Sequence, residues 1–304
     1  EQEYGAFLVR RARRILPAYF VVMVPYTLFL ILRGQAPLSA LVWNSTLLAY
    51  WVHTPGAFNW YVSGILLFYV LTPWCFRRLR RSRHRVLWTA GAGAAAVAVC
   101  HVLIQDEYWH YLDVFYRFPI FFLGLLMGLY VWEDRRLGRR DLLFWTLWLA
   151  AGLCYLAAAL PRLEVPHLPM CHLFLFTTVP MCLAGCACFE HLPLGWLRRG
   201  LRLVGEHSLE IYLLNVSLFS ETALLRSWLP LGTGPYYFLA FFLNILLGIL
   251  LHRGVEAGMR RIQARRADLS AKEAALWERS NVCWTASTRW AATPSRSWAT
   301  PAHG

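Results

Sequence analysis

A cluster of arginines stands directly before a long apolar run near the start of the chain. The stretch FLVRRARRILPAYF, residues 7–20, holds Arg10, Arg11, Arg13 and Arg14. A planar guanidinium can bind a phosphate through two parallel hydrogen bonds, and on a helix Arg11 and Arg14, three positions apart, share one face. The same cluster is also typical of a topology signal, in which arginines reach the interface at the inner end of a membrane helix. The residues alone allow both roles.

Histidines and cysteines are the other side chains that offer chemistry. Histidine is the usual general base when a hydroxyl must lose its proton near neutral pH. His101 and His172 fall near the ends of apolar runs, where a hydrogen-bonded interfacial histidine is the common explanation. The stretch CLAGCACFEH (182–191) groups three cysteines and a histidine, but its spacing fits no standard zinc pattern. We therefore predict no metal site and no structural disulfide.

The composition is that of a membrane protein. Hydrophobic residues make up 58% of the chain and charged residues 15%, which lies outside the range of soluble domains. The net charge of +13 does not indicate nucleic acid binding, because the arginines form short clusters between apolar runs rather than an aromatic-interleaved groove. The expected partner of this surface is the lipid bilayer.

Eight apolar runs are long enough to span a bilayer. They lie near residues 15–32, 60–76, 86–104, 118–132, 142–160, 172–189, 209–229 and 236–251. A ninth run, 38–52, is short and has Asn44, Ser45 and Thr46 at its centre, which is typical of a re-entrant or interfacial segment. We predict an all-α polytopic helix bundle with about eight full spans and this one additional segment.

The basic loops decide whether 38–52 crosses the membrane. If it does not, the clusters at 77–85, 133–141 and 197–202 and the tail from His252 all lie on the same side as the N-terminal arginines. The positive-inside rule makes that side cytoplasmic. If 38–52 did cross, every later basic loop would be inverted against the rule. We therefore predict a multi-pass protein of the plasma (inner) membrane, with the arginine cluster and the C-terminal tail in the cytoplasm.

The chain divides into three parts by its hydropathy pattern. Residues 1–251 form the predicted membrane domain, and 252–275 form a basic cytoplasmic tail. Residues 276–304 lose apolar periodicity and are rich in Trp, Ser, Thr, Ala and Arg, so we predict that they are disordered or an out-of-frame extension. The pattern shows no soluble domain, internal repeat or cleavable signal peptide.

Several small or polar residues fall inside the apolar runs. Gly124 and Gly128 form a small-residue pair that predicts close approach of a neighbouring helix. Asn215 and Asn244 are predicted to hydrogen-bond between helices. Arg117 begins its run from the outer side, where it either reaches lipid headgroups or faces a bound anionic group.

Four stretches resemble, in the same order, the acyltransferase-3 family of multi-pass membrane acyltransferases. The first, FLVRRARRILPAYF, is similar to the arginine-rich segment of the family, and its R-x-x-R pair is Arg11 and Arg14. The second, NWYVSGILLFYVLTP (59–73), resembles an aromatic signature that ends in proline. The others are YRFPIFFLGLLMGLY (116–130), similar to an Arg-x-Pro-x-Phe-x-x-Gly helix, and LVGEHSLEIYLLN (203–215), similar to a Gly-x-x-Ser-x-x-x-Tyr-Leu segment.

The resemblance implies a membrane O-acyltransferase of the cell envelope. Such an enzyme takes an acyl group, usually acetyl, from cytoplasmic acyl-CoA and passes it to a hydroxyl of a cell-surface glycan, a lipid-linked sugar or a small molecule. Because coenzyme A carries several phosphates, we expect Arg11 and Arg14 to bind this donor, and no metal to be needed. The residues expected at the acceptor pocket are Trp60, Ser63, Tyr69, Arg117, Tyr212 and Glu221.

The general base is the part of the family pattern that this chain does not show. In the family it is a histidine on a membrane helix that precedes the arginine-rich segment, eleven positions after an Arg or Lys. No histidine of this chain has that spacing, so we expect the base upstream of Glu1. Ile65 and Asn215 also stand where many members carry glutamate and histidine. A non-catalytic relative that binds or regulates, and a transporter of a lipid or glycan precursor, therefore stay open as alternatives, although a transporter should show two related halves with broken helices.

Overall fold

Every regular element that the structure describes is helical. The computed structural model covers residues 4–105, 108–135, 138–159, 170–191, 194–219 and 232–291, and these contain no strand. The α-helices are α1 (Tyr4–Leu32), α2 (Ser39–Ser45), α3 (Trp60–Arg81), α4 (Arg85–Gln105), α5 (Leu112–Phe115), α6 (Phe118–Trp132), α7 (Arg139–Ala159), α8 (Met170–His191), α9 (Gly195–Glu206), α10 (Ser208–Leu214) and α11 (Thr233–Ala291). A 3₁₀ turn precedes α5 and a π-helical turn follows α10. The all-α prediction is confirmed.

Within the described ranges, five helices are long and apolar enough to cross a membrane. These stretches are Tyr4–Leu32, Arg85–Ile104, Leu112–Trp132, Arg139–Ala158 and Thr233–Glu273. Shorter apolar stretches occupy Cys171–Cys186 and Ser208–Leu218, and α3 has 22 residues, enough for about 33 Å of helix. The protein is a polytopic helical membrane protein. The count of eight spans stays a prediction, because the run 209–229 leaves the described residues after Phe219.

The segment 38–52 is a short helix followed by turns. The helix α2 has seven residues and is therefore about 10 Å long, a third of the hydrocarbon thickness. Asn44 holds the segment in place: its Nδ2 donates to Gly56 O (2.9 Å) and to Thr27 Oγ1 (3.3 Å). Its Oδ1 accepts from Phe58 N (2.9 Å). The prediction that this run does not form a full span is thus confirmed.

Replacing Asn44 with alanine is expected to lower the free energy of unfolding in detergent by about 2–4 kcal/mol. Asn44 is 1% exposed, so the change leaves the buried Phe58 N without its partner, at about 1–3 kcal/mol, and the half-buried Gly56 O without its partner, at about 1 kcal/mol. The matched control is Asn215→Ala, because Asn215 is exposed and its change should stay within about 0.5 kcal/mol. An equal loss in the two variants would contradict the role given to Asn44.

Contacts between connections show which of them share an end of the bundle. At one end, Tyr50 donates through its hydroxyl to His110 O (2.9 Å), and the Tyr111 hydroxyl donates to Trp51 O (2.8 Å). The end of the 38–52 segment therefore lies beside the described part of the other connection, residues 108–117. At the other end, Arg85 pairs with Glu133 at 2.8 Å. This contact joins the basic loops 77–85 and 133–141, as the charge pattern predicts.

Close helix approach occurs at glycines other than the predicted pair. A Cβ added at Gly124 or Gly128 would meet no described atom within 4 Å, so the predicted packing role of this pair is wrong. At Gly152 the added atom would overlap the Phe176 Cβ, so α7 packs closely against α8 there. At Gly248 it would lie 2.5 Å from the Ile211 Cγ1, between α11 and α10. Small residues do mediate packing here, but a local sequence pattern does not identify which ones.

Two compact units divide the chain between Leu251 and His252. The first holds the helices up to that point. In the second, α11 continues to Ala291, and it carries an ion pair of 2.7 Å between Lys272 and Asp268. Residues 276–291 are helical in the structure, and residues 292–304 lie outside the described residues. That 276–304 is disordered or an out-of-frame extension stays a prediction.

Candidate active site

The arginine pair lies on an exposed face of α1 and is held by aromatic and backbone contacts. The guanidinium carbon of Arg11 lies 5.4 Å from the Phe7 ring centroid and 5.3 Å from that of Tyr69 on α3. Such stacking is a cation–π contact that leaves the edges of the guanidinium open to other partners. Arg14 Nη2 donates to Glu206 O at 3.2 Å, at the C-terminal end of α9. Both arginines are exposed, so the face is anchored and also accessible.

A second polar cluster surrounds Arg117, where α6 begins. Its guanidinium carbon lies 4.1 Å from the Trp60 ring centroid and 5.0 Å from that of Phe174. Arg117 also donates through Nη1 to the main-chain oxygen of Asp113. Trp60 is the first residue of α3 and Phe174 belongs to α8, so three helices converge on this one charge.

Tyr212 and Asn59 complete the Arg117 cluster. The centroids of the Tyr61 and Tyr212 rings are 4.7 Å apart. Tyr212 is also close enough to Arg117 to interact with its charge. Asn59 caps α3, because its Oδ1 accepts from Tyr61 N at 2.7 Å. The Tyr212 hydroxyl is a neighbour of the Asn59 side chain, yet the buried Nδ2 of Asn59 has no described hydrogen-bond partner of good geometry. A donor of this kind is available to a ligand.

Polar residues of the neighbouring connections lie beside the Arg117 cluster. The His53 and His110 rings are 4.3 Å apart. Partial burial lowers the pKa of His110 and the neighbouring His53 lowers it further, so His110 stays neutral to lower pH than a free imidazole does. Burial raises the pKa of Tyr50. The neighbouring Asp113 raises this pKa further, and Arg117 lowers it. Arg117 therefore lies among aromatic rings and hydroxyl groups, with the Asp113 carboxyl as its acidic neighbour.

The six residues expected at the acceptor pocket do not all lie together. Trp60, Arg117 and Tyr212 belong to one cluster. Ser63 donates through Oγ to Leu47 O at 2.9 Å and so holds the 38–52 segment, while Tyr69 contacts Arg11. Glu221 lies outside the described residues.

Three further residues of interest carried only weak sequence signals. An asparagine directly before a helix indicates an N-cap, so Asn59 had a local signal, whereas nothing local marks Tyr61. His207 stands next to Glu206, the residue that accepts from Arg14, and its Nδ1 lies 2.7 Å from Leu203 O. That carbonyl only accepts, so Nδ1 carries the proton of this hydrogen bond.

The two clusters are connected by a single helix. Tyr61 and Tyr69 are eight residues apart on α3, which corresponds to about 12 Å along its axis and about 80° around it. Tyr61 belongs to the Arg117 cluster and Tyr69 contacts Arg11. The distance between the arginine pair and the Arg117 cluster is thus well below the thickness of a bilayer core.

The comparison with known proteins defines the class of this protein. The family model described as an acyltransferase domain, that of the acyltransferase-3 family, matches residues 1–253. The chain therefore belongs to the acyltransferase-3 family, and its activity is acyl transfer. This match confirms the resemblance of the four sequence stretches, all of which it contains. No curated protein and no solved structure matches the chain.

Proposed function

We propose that this acyltransferase moves an acyl group, expected to be acetyl, from cytoplasmic acyl-CoA to a hydroxyl of a cell-surface glycan, a lipid-linked sugar or a small molecule. The observation that carries the proposal is the pair of clusters joined by α3: an exposed arginine pair at one position and a half-buried polar and aromatic cluster about 12 Å further along the helix. Donor and acceptor have separate sites in this scheme, within reach of a flexible thioester arm.

The donor site is the face formed by Arg11 and Arg14. Two exposed guanidinium groups on one helical face suit the phosphates of coenzyme A. The contacts of Arg11 with the Tyr69 ring and of Arg14 with Glu206 O limit their freedom, so less side-chain entropy is lost when the donor binds. These contacts support a role for the pair beyond that of a topology signal, because the neighbouring Arg13 has no such contact with a described residue.

The acceptor site is the Arg117 cluster. Trp60, Tyr61 and Tyr212 offer ring faces and a hydroxyl, and Asn59 offers an amide donor beside the Tyr212 hydroxyl. Ring faces and convergent hydrogen-bond donors are the usual means of holding a polar organic acceptor. The cationic Arg117 also suits an acceptor that carries an anionic group, or the oxyanion that forms on the thioester carbonyl.

In the reaction, the acceptor hydroxyl oxygen attacks the thioester carbonyl. The new ester C–O bond forms, the C–S bond breaks, and the hydroxyl proton passes through a general base to the departing CoA thiolate. The base is expected to be a histidine on a helix that precedes the arginine-rich segment. Determining the coding DNA for about 40 codons before Glu1, roughly one spanning helix and its loop, tests this expectation.

The proposed function is tested with the full chain in lipid nanodiscs, with and without the upstream segment, and with acetyl-CoA labelled in the acetyl group. We expect saturable donor binding by both chains, and transfer of label to an envelope glycan fraction by the chain that carries the expected histidine. Donor binding without transfer by either chain would support a non-catalytic relative. Absence of donor binding would contradict the proposal and favour the transporter alternative.

A further inference from the structure

An apolar cavity lies among α4, α6, α7 and α8. Its volume is about 680 Å³, and neither the arginine pair nor the Arg117 cluster lines it. Along α4 the lining runs from Val86 to Val97, eleven residues and therefore about 16 Å. That length is close to one leaflet of a bilayer core, which is about 30 Å thick in total. The cavity has the dimensions of a site for one acyl chain.

A basic pocket adjoins this cavity at the loop end. It has a volume of about 400 Å³ and shares Val86, Tyr130 and Arg135 with the cavity. Arg83 and Arg85 add two further positive charges. Arg85 is paired with Glu133, and the guanidinium carbon of Arg135 lies 4.5 Å from the Tyr130 ring centroid.

Arg83 is the arginine of this pocket that is open to a ligand. It is exposed and has no hydrogen-bond or ion-pair partner among the described residues. Arg135 forms an ion pair of 3.5 Å with Asp141, which also lines the cavity. The charge left over at the mouth of the apolar cavity is therefore positive, which is complementary to an anionic headgroup.

A buried hydroxyl in the wall of the cavity independently indicates a ligand. Thr89 lines the cavity, is 6% exposed, and its Oγ1 has no described hydrogen-bond partner. Other helical threonines of this chain donate to the carbonyl four residues earlier; they are Thr72, Thr146 and Thr177. Thr89 lies one helical turn deeper in the cavity than Val86, which is at the mouth. In a phospholipid, the ester groups lie at a similar depth below the phosphate. An unpartnered buried hydroxyl at that depth needs an acceptor.

We infer that this cavity binds one molecule of an anionic phospholipid. The phosphate lies at Arg83 and Arg135, an ester carbonyl accepts from the Thr89 hydroxyl, and one acyl chain fills the apolar cavity. The arrangement joins three features that a bound lipid requires together: a positive mouth, a donor at ester depth, and an apolar volume one leaflet long. The inference does not depend on the proposed function, because it uses none of the residues of the two clusters.

The lipid site is tested by native mass spectrometry of the delipidated full chain. Phosphatidylglycerol and phosphatidylcholine with identical acyl chains are the probes. We expect at least a tenfold preference for phosphatidylglycerol, and we expect Arg83→Gln to remove most of it. Thr89→Val should weaken binding of both lipids severalfold, while Thr146→Val, whose hydroxyl already donates to Leu142 O, should leave both affinities unchanged. Equal affinity for the two headgroups would overturn the inference.

Two glycine variants on α4 test the role of the apolar cavity separately from that of the headgroup site. A Cβ added at Gly91 or Gly93 meets nothing within 4 Å, but only Gly93 lines the cavity. Gly93→Leu should therefore fill the cavity and abolish the phosphatidylglycerol adduct, whereas Gly91→Leu should preserve it. Neither change removes a packing contact, and both replace a helical glycine with a better helix former, so thermal stability should be kept. Retention of the adduct by Gly93→Leu, or a changed oligomeric state instead of a lost adduct, would overturn the inference.

Discussion

Replacing Arg11 and Arg14 together with alanine is expected to lower the affinity for acetyl-CoA by about 10²- to 10⁴-fold. The estimate follows from two lost charge-assisted interactions with phosphate, each of about 1.5–3 kcal/mol. Neither side chain is buried, so the fold should persist. The measurement is equilibrium binding of acetyl-CoA to the purified protein in nanodiscs, with the melting temperature of each variant recorded alongside.

The matched control for this experiment is the double variant Arg10→Ala with Arg13→Ala. It removes the same charge with the same spacing from the same helix, but not the residues that contact Tyr69 and Glu206. We expect a reduction of less than about tenfold, as for a loss of general electrostatic attraction. Lysine at positions 11 and 14 should restore only part of the affinity, since an ammonium lacks the bidentate geometry. Equal losses in the two alanine pairs would reduce the cluster to a topology signal.

Replacing Arg117 with alanine is expected to reduce the acyl-transfer rate constant by about 10²- to 10³-fold while leaving the dissociation constant of acetyl-CoA unchanged. The magnitude is that of losing one preorganised charged donor at a reacting centre. Arg117 contacts Trp60, Phe174 and Asp113 O but not the arginine pair, so donor binding should not respond. The two quantities are measured separately, by single-turnover transfer and by equilibrium binding, both with the chain that carries the expected upstream histidine.

Two further variants distinguish a role of Arg117 in the reaction from a folding defect. Arg117→Lys retains the positive charge and should recover part of the rate if the cation acts on the reacting groups. Arg33→Ala removes another arginine stacked on an aromatic ring, at 5.5 Å from the Phe29 centroid just after α1, and should leave the rate within about twofold, since it lies outside the cluster. If the acyl-transfer rate constant of Arg117→Ala stays within a few-fold of that of the unchanged protein, Arg117 does not belong to the reacting site.

Sequence patterns predicted the class, the helical architecture and the position of 38–52, because each of these depends on local properties. The membrane spans are predicted from hydropathy over about 20 residues, and the charge of the loops predicts their orientation in the membrane. The exclusion of 38–52 also had a local cause, since Asn44 in an apolar run needs hydrogen-bond partners, and the structure supplies them from Gly56, Phe58 and Thr27.

Which faces of the helices meet was much less predictable. In a membrane the lipid-facing and protein-facing sides of a helix are both apolar, so periodicity does not distinguish them. The predicted close approach at Gly124 and Gly128 was wrong for this reason, while Gly152 and Gly248 provide such contacts. Tyr61 was missed in the same way, because its partner Tyr212 is about 150 residues away in the chain and only tertiary packing brings them together.

In the proposed reaction, α3 sets the distance between the donor site and the acceptor site. Tyr61 and Tyr69 belong to one uninterrupted helix, so the spacing between the two clusters is fixed by its rise and does not depend on domain movement. One inserted residue between them would lengthen the spacing by only about 1.5 Å but turn one ring about 100° away from the other. The rise of the helix thus fixes the distance that the donor must bridge. The length of the thioester arm, and not a closing motion of the protein, would then determine which carbonyl carbon reaches Arg117.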